Sequence, residues 1–136
     1  AYPRMIGQTL GGEALKAWQW IETSASDQTI RSASQNLSLP LKAGGEQAIE
    51  VSALAIGDVV FVGLPGEIFV EIGLDIVARC GGAGVFPASM GNGYVGYIPT
   101  RIAYEQGGYE SGASRFAPGC GEALADAAVA VIEATT

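Results

Sequence analysis

Apolar residues in the first segment, Ile6, Leu10, Leu15, Trp18 and Ile21, recur at steps of three to five positions. That spacing predicts an amphipathic helix from Pro3 to about Ile21, despite the weak helix formers Gly11 and Gly12. The small polar stretch Thr23 to Asp27 follows, and the period then changes to two. Between Thr29 and Lys42, Ala33, Leu37, Leu39 and Leu41 share one face, so a long strand is expected, with Pro40 marking an edge or a strand end. Gly44-Gly45 signals a turn, and Ile49, Val51, Ala53 and Ala55 repeat the alternation in a strand from Ala48 to Ile56. Gly57-Asp58 leads into Val59 to Leu64, a short run rich in β-branched residues that reads as the second strand of a hairpin, buried on both faces.

Pro65-Gly66-Glu67 closes that strand, after which Ile68, Phe69, Ile72, Leu74, Ile76 and Val77 suit a helix packed on the sheet. Glycines surround Val85-Phe86 and Met90, so a short strand and a loop are expected between Gly81 and Gly96. Thr100 can cap a short helix through Tyr104 and Glu105, and Gly107-Gly108 ends it. Leu124, Ala128, Val131 and Ile132 form the stripe of a terminal helix from Gly119 to about Glu133. The expected class is α+β, a mainly antiparallel sheet with flanking helices, in one unit of 136 residues.

Composition narrows the functions open to this chain. Charged residues make up 15% of it, below the roughly 25% usual for soluble domains, so an unusually apolar surface is expected. The net charge of −7 and seven scattered basic residues exclude a phosphate-neutralising patch, and with it nucleic acid as a partner. No apolar run approaches the roughly 18 residues of a membrane span, so no transmembrane segment is expected. Histidine is absent, which removes a His-based triad and the usual His-ligated zinc from this chain taken alone. Cys80 and Cys120 lack metal or redox spacing and read as two buried thiols or one structural disulfide, the latter favouring an exported protein.

The remaining candidates are carboxylates, phenols and arginine. Glu67 falls where a strand ends and a helix is expected to begin, a seat where free amides and the helix dipole favour a carboxylate; plain helix capping is the simpler role. Glu71, one turn on, can share its face or be a solvated helix residue. Four of the five tyrosines, Tyr94, Tyr97, Tyr104 and Tyr109, fall within a glycine-rich stretch of 16 positions. Glycines there let backbone approach a ligand while phenols supply hydrogen bonds; equally, the rings can fill gaps in a core. Arg101 can anchor a carboxylate or pair with Glu105 four positions later.

Taken in order, Gly63-Leu64-Pro65-Gly66-Glu67, Asn92-Gly93-Tyr94-Val95-Gly96-Tyr97-Ile98-Pro99-Thr100-Arg101, Ala103-Tyr104-Glu105, Tyr109-Glu110 and Ala117-Pro118-Gly119 resemble the C-terminal part of the catalytic domain of neutral/alkaline, non-lysosomal ceramidases. The resemblance implies a zinc-dependent hydrolase that cleaves the amide of N-acylsphingosine, with the metal held by two histidines, a glutamate and a tyrosine. Glu67 matches the glutamate and Tyr104 the tyrosine, 37 positions apart. Both histidines would come from an N-terminal portion or a partner chain, and the substrate would be a lipid amide or another small amide. A second functional tyrosine of the family falls at Phe116, which has no hydroxyl to polarise a carbonyl. Neighbouring Arg115 is a candidate for a substitute electrostatic group. Two alternatives follow: a related hydrolase of a different amide or ester, and a non-catalytic binding or assembly module whose apolar surface packs on a partner.

Overall fold

A computed structural model describes residues 2–22, 24, 26–82 and 84–135. Helix α1 spans Tyr2–Gln19, and strands β1 (Ile30–Pro40), β2 (Glu46–Ile56) and β3 (Val59–Leu64) follow as an antiparallel meander. A two-residue strand β4 (Glu67–Ile68) precedes helix α2 (Val70–Arg79), which crosses over to strand β5 (Val85–Ser89), parallel to β3. Strand β6 (Tyr97–Ile98) pairs in parallel with β4, and helices α3 (Arg101–Gln106), α4 (Tyr109–Ala113) and α5 (Cys120–Glu133) complete the chain. The α+β arrangement is thus a four-stranded, mostly antiparallel sheet in the order β1-β2-β3-β5, with helices flanking it.

The period-two pattern sets which face of the sheet is covered. Leu39 on β1, Ile49, Val51, Ala53 and Ala55 on β2, and Val60, Val62 and Leu64 on β3 all point into a core closed by Ile72 and Ile76 of α2 and Leu124, Ala128, Val131 and Ile132 of α5. Alanines on α5 let the helix lie close to the sheet. At its start the approach is closer still: a Cβ on Gly121 would stand 2.6 Å from Ile72 Cδ1 and from the Pro99 carbonyl oxygen, so only glycine seats the helix there. Thr100 caps α3 as its sequence suggests, its hydroxyl accepting the Ala103 N–H at 3.2 Å.

Three expectations change. Strand β3 is buried on one face only: Phe61 is 44% exposed, because helices cover the inner face of the sheet and no described element covers the outer one. On that outer face Ser32, Leu54, Phe61 and Phe86 lie in one cross-strand row, and the Phe61 and Phe86 rings stack at 5.5 Å. Helix α2 starts at Val70 rather than Ile68, since Ile68 is taken into β4, and this rotates Leu74 outward to 62% exposure. Helix α1 forms with its apolar stripe entirely exposed and no buried residue. Cys80 and Cys120 are unbridged thiols. No helix among the described residues is long and apolar enough to cross a membrane.

Candidate functional site

The parallel neighbours β3 and β5 end side by side, and both continue into the irregular segments that carry the candidate residues. Leaving β3, the Pro65-Gly66-Glu67 triplet runs beside the 90–96 loop. The Val95 N–H donates to the Pro65 carbonyl at 2.9 Å, the Met90 N–H to the Gly66 carbonyl at 3.0 Å, and the Glu67 N–H to the Gly96 carbonyl at 2.9 Å. Glycine is required at the centre of this lacing. A Cβ on Gly66 would stand 2.7 Å from the Gly96 carbonyl oxygen, closer than side-chain carbons come.

The loop is fastened from outside as well. The Asn92 side-chain amide donates to Ser52 Oγ on β2, and the Arg115 guanidinium donates to the Val95 carbonyl from Nε at 3.3 Å and Nη2 at 3.2 Å. The Arg115 guanidinium also lies over the Phe116 ring, 5.8 Å from its centroid. Held in this way, Tyr94 donates its hydroxyl to Glu67 Oε1 at 2.6 Å, a short charge-assisted bond. That bond and the carboxylate's charge push the Tyr94 phenol above its ordinary pKa. Tyr97 stands opposite Glu67 in the β4–β6 pair, and its phenol is also pushed up, first by burial and then by the Glu67 charge. The Tyr97 ring meets Tyr109 edge to face at 5.9 Å.

Glu67 therefore does not cap a helix. Ile68 of β4 and the N-cap Phe69 separate it from the first turn of α2, where Glu71 takes the place beside the helix dipole. Glu67, Glu71 and Glu110 do share one surface cavity of about 410 Å³ with Tyr97. Arg101 forms no described ion pair with Glu105; its backbone N–H donates instead to Glu122 Oε1 at 2.8 Å.

Tyr104 is positioned by α3 and is half-buried. Its hydroxyl donates to the Phe116 carbonyl oxygen at 2.7 Å and lies 2.9 Å from Ser114 Oγ, which in turn donates to the Tyr97 carbonyl at 2.8 Å. Burial is the main cause that raises the Tyr104 phenol, so it stands as a neutral hydroxyl. No described hydrogen bond joins Glu67 to Tyr104. They are related through Tyr97, which faces Glu67 across the strand pair and reaches Tyr104 by way of Ser114. Ser114 is the residue that sequence reasoning missed; a buried serine beside a capping turn has no local signature.

A carboxylate and a phenol are oxygen donors of the kind zinc accepts, and two such donors would make up half of a four-coordinate shell. Among the described residues, no group of three or more His, Cys, Asp or Glu could hold a metal ion.

No family model and no curated protein sequence matches the chain. Solved structures do match. A ceramidase in complex with C2 aligns with 64% of this chain at 28% identity and a TM-score of 0.54. This chain resembles neutral ceramidases. A neutral ceramidase from Pseudomonas aeruginosa aligns with 65% at 25% identity and a TM-score of 0.51. The ceramidase-like chain spans only 15% and 16% of the length of those two structures.

Proposed function

We propose that this chain is one part of a zinc-dependent amide hydrolase of the neutral ceramidase kind, corresponding to the C-terminal part of the catalytic domain. Glu67 and Tyr104 are its two metal ligands, and two histidines come from an N-terminal portion or a partner chain. The observation that carries this reading is the joining of two distant segments, 65–67 and 90–96, into one laced unit that presents Glu67 under Tyr94. Similarity to ceramidases over 64% of the chain supports it. When bound, zinc supplies Lewis acidity toward an amide carbonyl and lowers the pKa of water. Glu67 contributes negative charge, and Tyr104 contributes a phenol oxygen whose O–H is donated to the Phe116 carbonyl. The isolated chain, holding half a shell, is inactive on this reading, and the substrate of the completed enzyme is N-acylsphingosine.

Phe116 favours a second reading, a related hydrolase of another amide or ester, because its ring is fully buried and offers no hydroxyl to a substrate. The exposed stripe of α1 and the outer sheet face favour a third, a module that packs on a partner without catalysis. The test is made on the protein together with its histidine-bearing portion. Stoichiometric zinc that is lost in Glu67→Gln and in Tyr104→Phe supports the hydrolase; zinc retained in both variants overturns it. Turnover of ceramide against simple acyl amides and esters separates the first two readings.

A further inference from the structure

We propose that Tyr94 is a positioning residue for Glu67, holding one carboxylate oxygen so that the rest of the carboxylate is presented to the metal in a fixed orientation. The inference rests on the reading of Glu67 as a zinc ligand. It begins from an anomaly: the Tyr94 side chain is 63% exposed, yet its hydroxyl is given to Glu67 Oε1 at 2.6 Å. A tyrosine whose ring has so little packing would ordinarily be mobile, and the loss of rotamer freedom is compensated here by one short bond to a charge.

The backbone places that bond in advance. Asn92, in the left-handed region at φ +61°, aims its side chain at Ser52, and Gly96, at φ +84°, turns the loop back so that its carbonyl receives the Glu67 N–H. Tyr94 and Glu67 are thus fixed to each other through backbone bonds on both sides of the phenol. A carboxylate has about four lone-pair sites, so one taken by Tyr94 leaves others for a cation while fixing the plane of the group. Hydrogen-bond partners of metal ligands act in this way, and losing one typically lowers metal affinity by about 10- to 100-fold.

The experiment uses the protein completed by its histidine-bearing portion and measures zinc affinity by competition with a chromophoric chelator, with thermal unfolding of the metal-free protein alongside. Tyr94→Phe removes only the hydroxyl and is expected to weaken zinc binding by about 10- to 100-fold while the unfolding midpoint stays put. Tyr109→Phe, which alters the neighbouring ring pair without touching Glu67, is expected to bind zinc like the parent. Should Tyr94→Phe bind zinc unchanged while Glu67→Gln loses it, the positioning role is wrong and the ligand assignment stands. Zinc retained in Glu67→Gln overturns both. Were Tyr94→Phe to shift the unfolding midpoint, the metal-free fold would depend on the bond; equal zinc affinity per folded molecule would then sink the proposal, and reduced affinity would support it.

Discussion

The hydroxyl of Tyr104 is held by the backbone carbonyl of Phe116 at 2.7 Å, twelve residues away, whereas the Phe116 ring belongs to the core and is fully buried. The contact therefore does not depend on the side chain at position 116, which explains how phenylalanine can stand there without releasing Tyr104. Tyr104→Phe should leave the Phe116 carbonyl short of a partner, while Ser114 Oγ keeps the Tyr97 carbonyl and the Phe116 N–H, and should destabilise the chain by about 1–3 kcal/mol in urea unfolding. Phe116→Tyr should also destabilise, by about 1–3 kcal/mol, because it forces a hydroxyl into a filled apolar site. A stability gain in Phe116→Tyr would mean that the ring faces an open cleft.

Gly66 is the point at which the loop and the triplet are closest. Gly66→Ala places a Cβ 2.7 Å from the Gly96 carbonyl oxygen, so one backbone must move and the bond from Tyr94 to Glu67 is disturbed. A destabilisation of about 1–3 kcal/mol is expected, together with changed amide shifts at Val95, Gly96 and Glu67 in NMR spectra. Unchanged shifts at those three residues would contradict the lacing described above.

Helix α1 and helix α5 should respond oppositely to damage. Removing residues 2–19 takes away no buried residue, so the unfolding midpoint of the remainder should be unchanged in circular dichroism melts while helical signal is lost. An 18-residue helix with three glycines and no tertiary packing is marginal by itself, and its signal should fade well below the main transition. Leu124→Ala, in contrast, opens a cavity under a fully buried side chain and should cost about 2–5 kcal/mol.

Alkaline pH should loosen the fold. Burial pushes the Cys120 and Cys80 thiols above their ordinary pKa, so the folded value exceeds the unfolded one. Stability from such groups is complete below the unfolded value of about 8.5 and is lost as pH rises through the folded value. The melting temperature is expected to fall above about pH 8.5, and Cys120→Ala should reduce the early part of that fall. Alkylation of Cys120 by iodoacetamide at neutral pH should be slow until denaturant is added.

Much of this molecule could be read along the chain, since strands, turns and caps are set by neighbours a few positions apart. Alternation in 49–55 fixed the inner face of β2, Gly57-Asp58 fixed the hairpin, and Thr100 fixed the start of α3. Glu67 and the tyrosine-rich loop stood out as candidates from spacing and resemblance, but the bonding that joins them was not legible. Reading Glu67 as a helix-terminal residue failed because β6 draws Glu67 and Ile68 into a parallel pair, an event about 30 positions away in sequence. Strand β3 was misread for a similar reason: β-branched residues on both faces signal burial only if a second layer arrives, and none of the described elements supplies it.

Local periodicity and turn chemistry thus specified the elements and their inner faces, because those depend on how successive side chains alternate or wind about one backbone. Pairing β3 with β5 and β4 with β6, bringing Tyr94 to Glu67 and setting Ser114 between Tyr97 and Tyr104 required the crossover through α2 and the closing of α5 on the sheet. Those contacts link residues separated by tens of positions, and their energies exist only once the chain has folded far enough to exclude water between them.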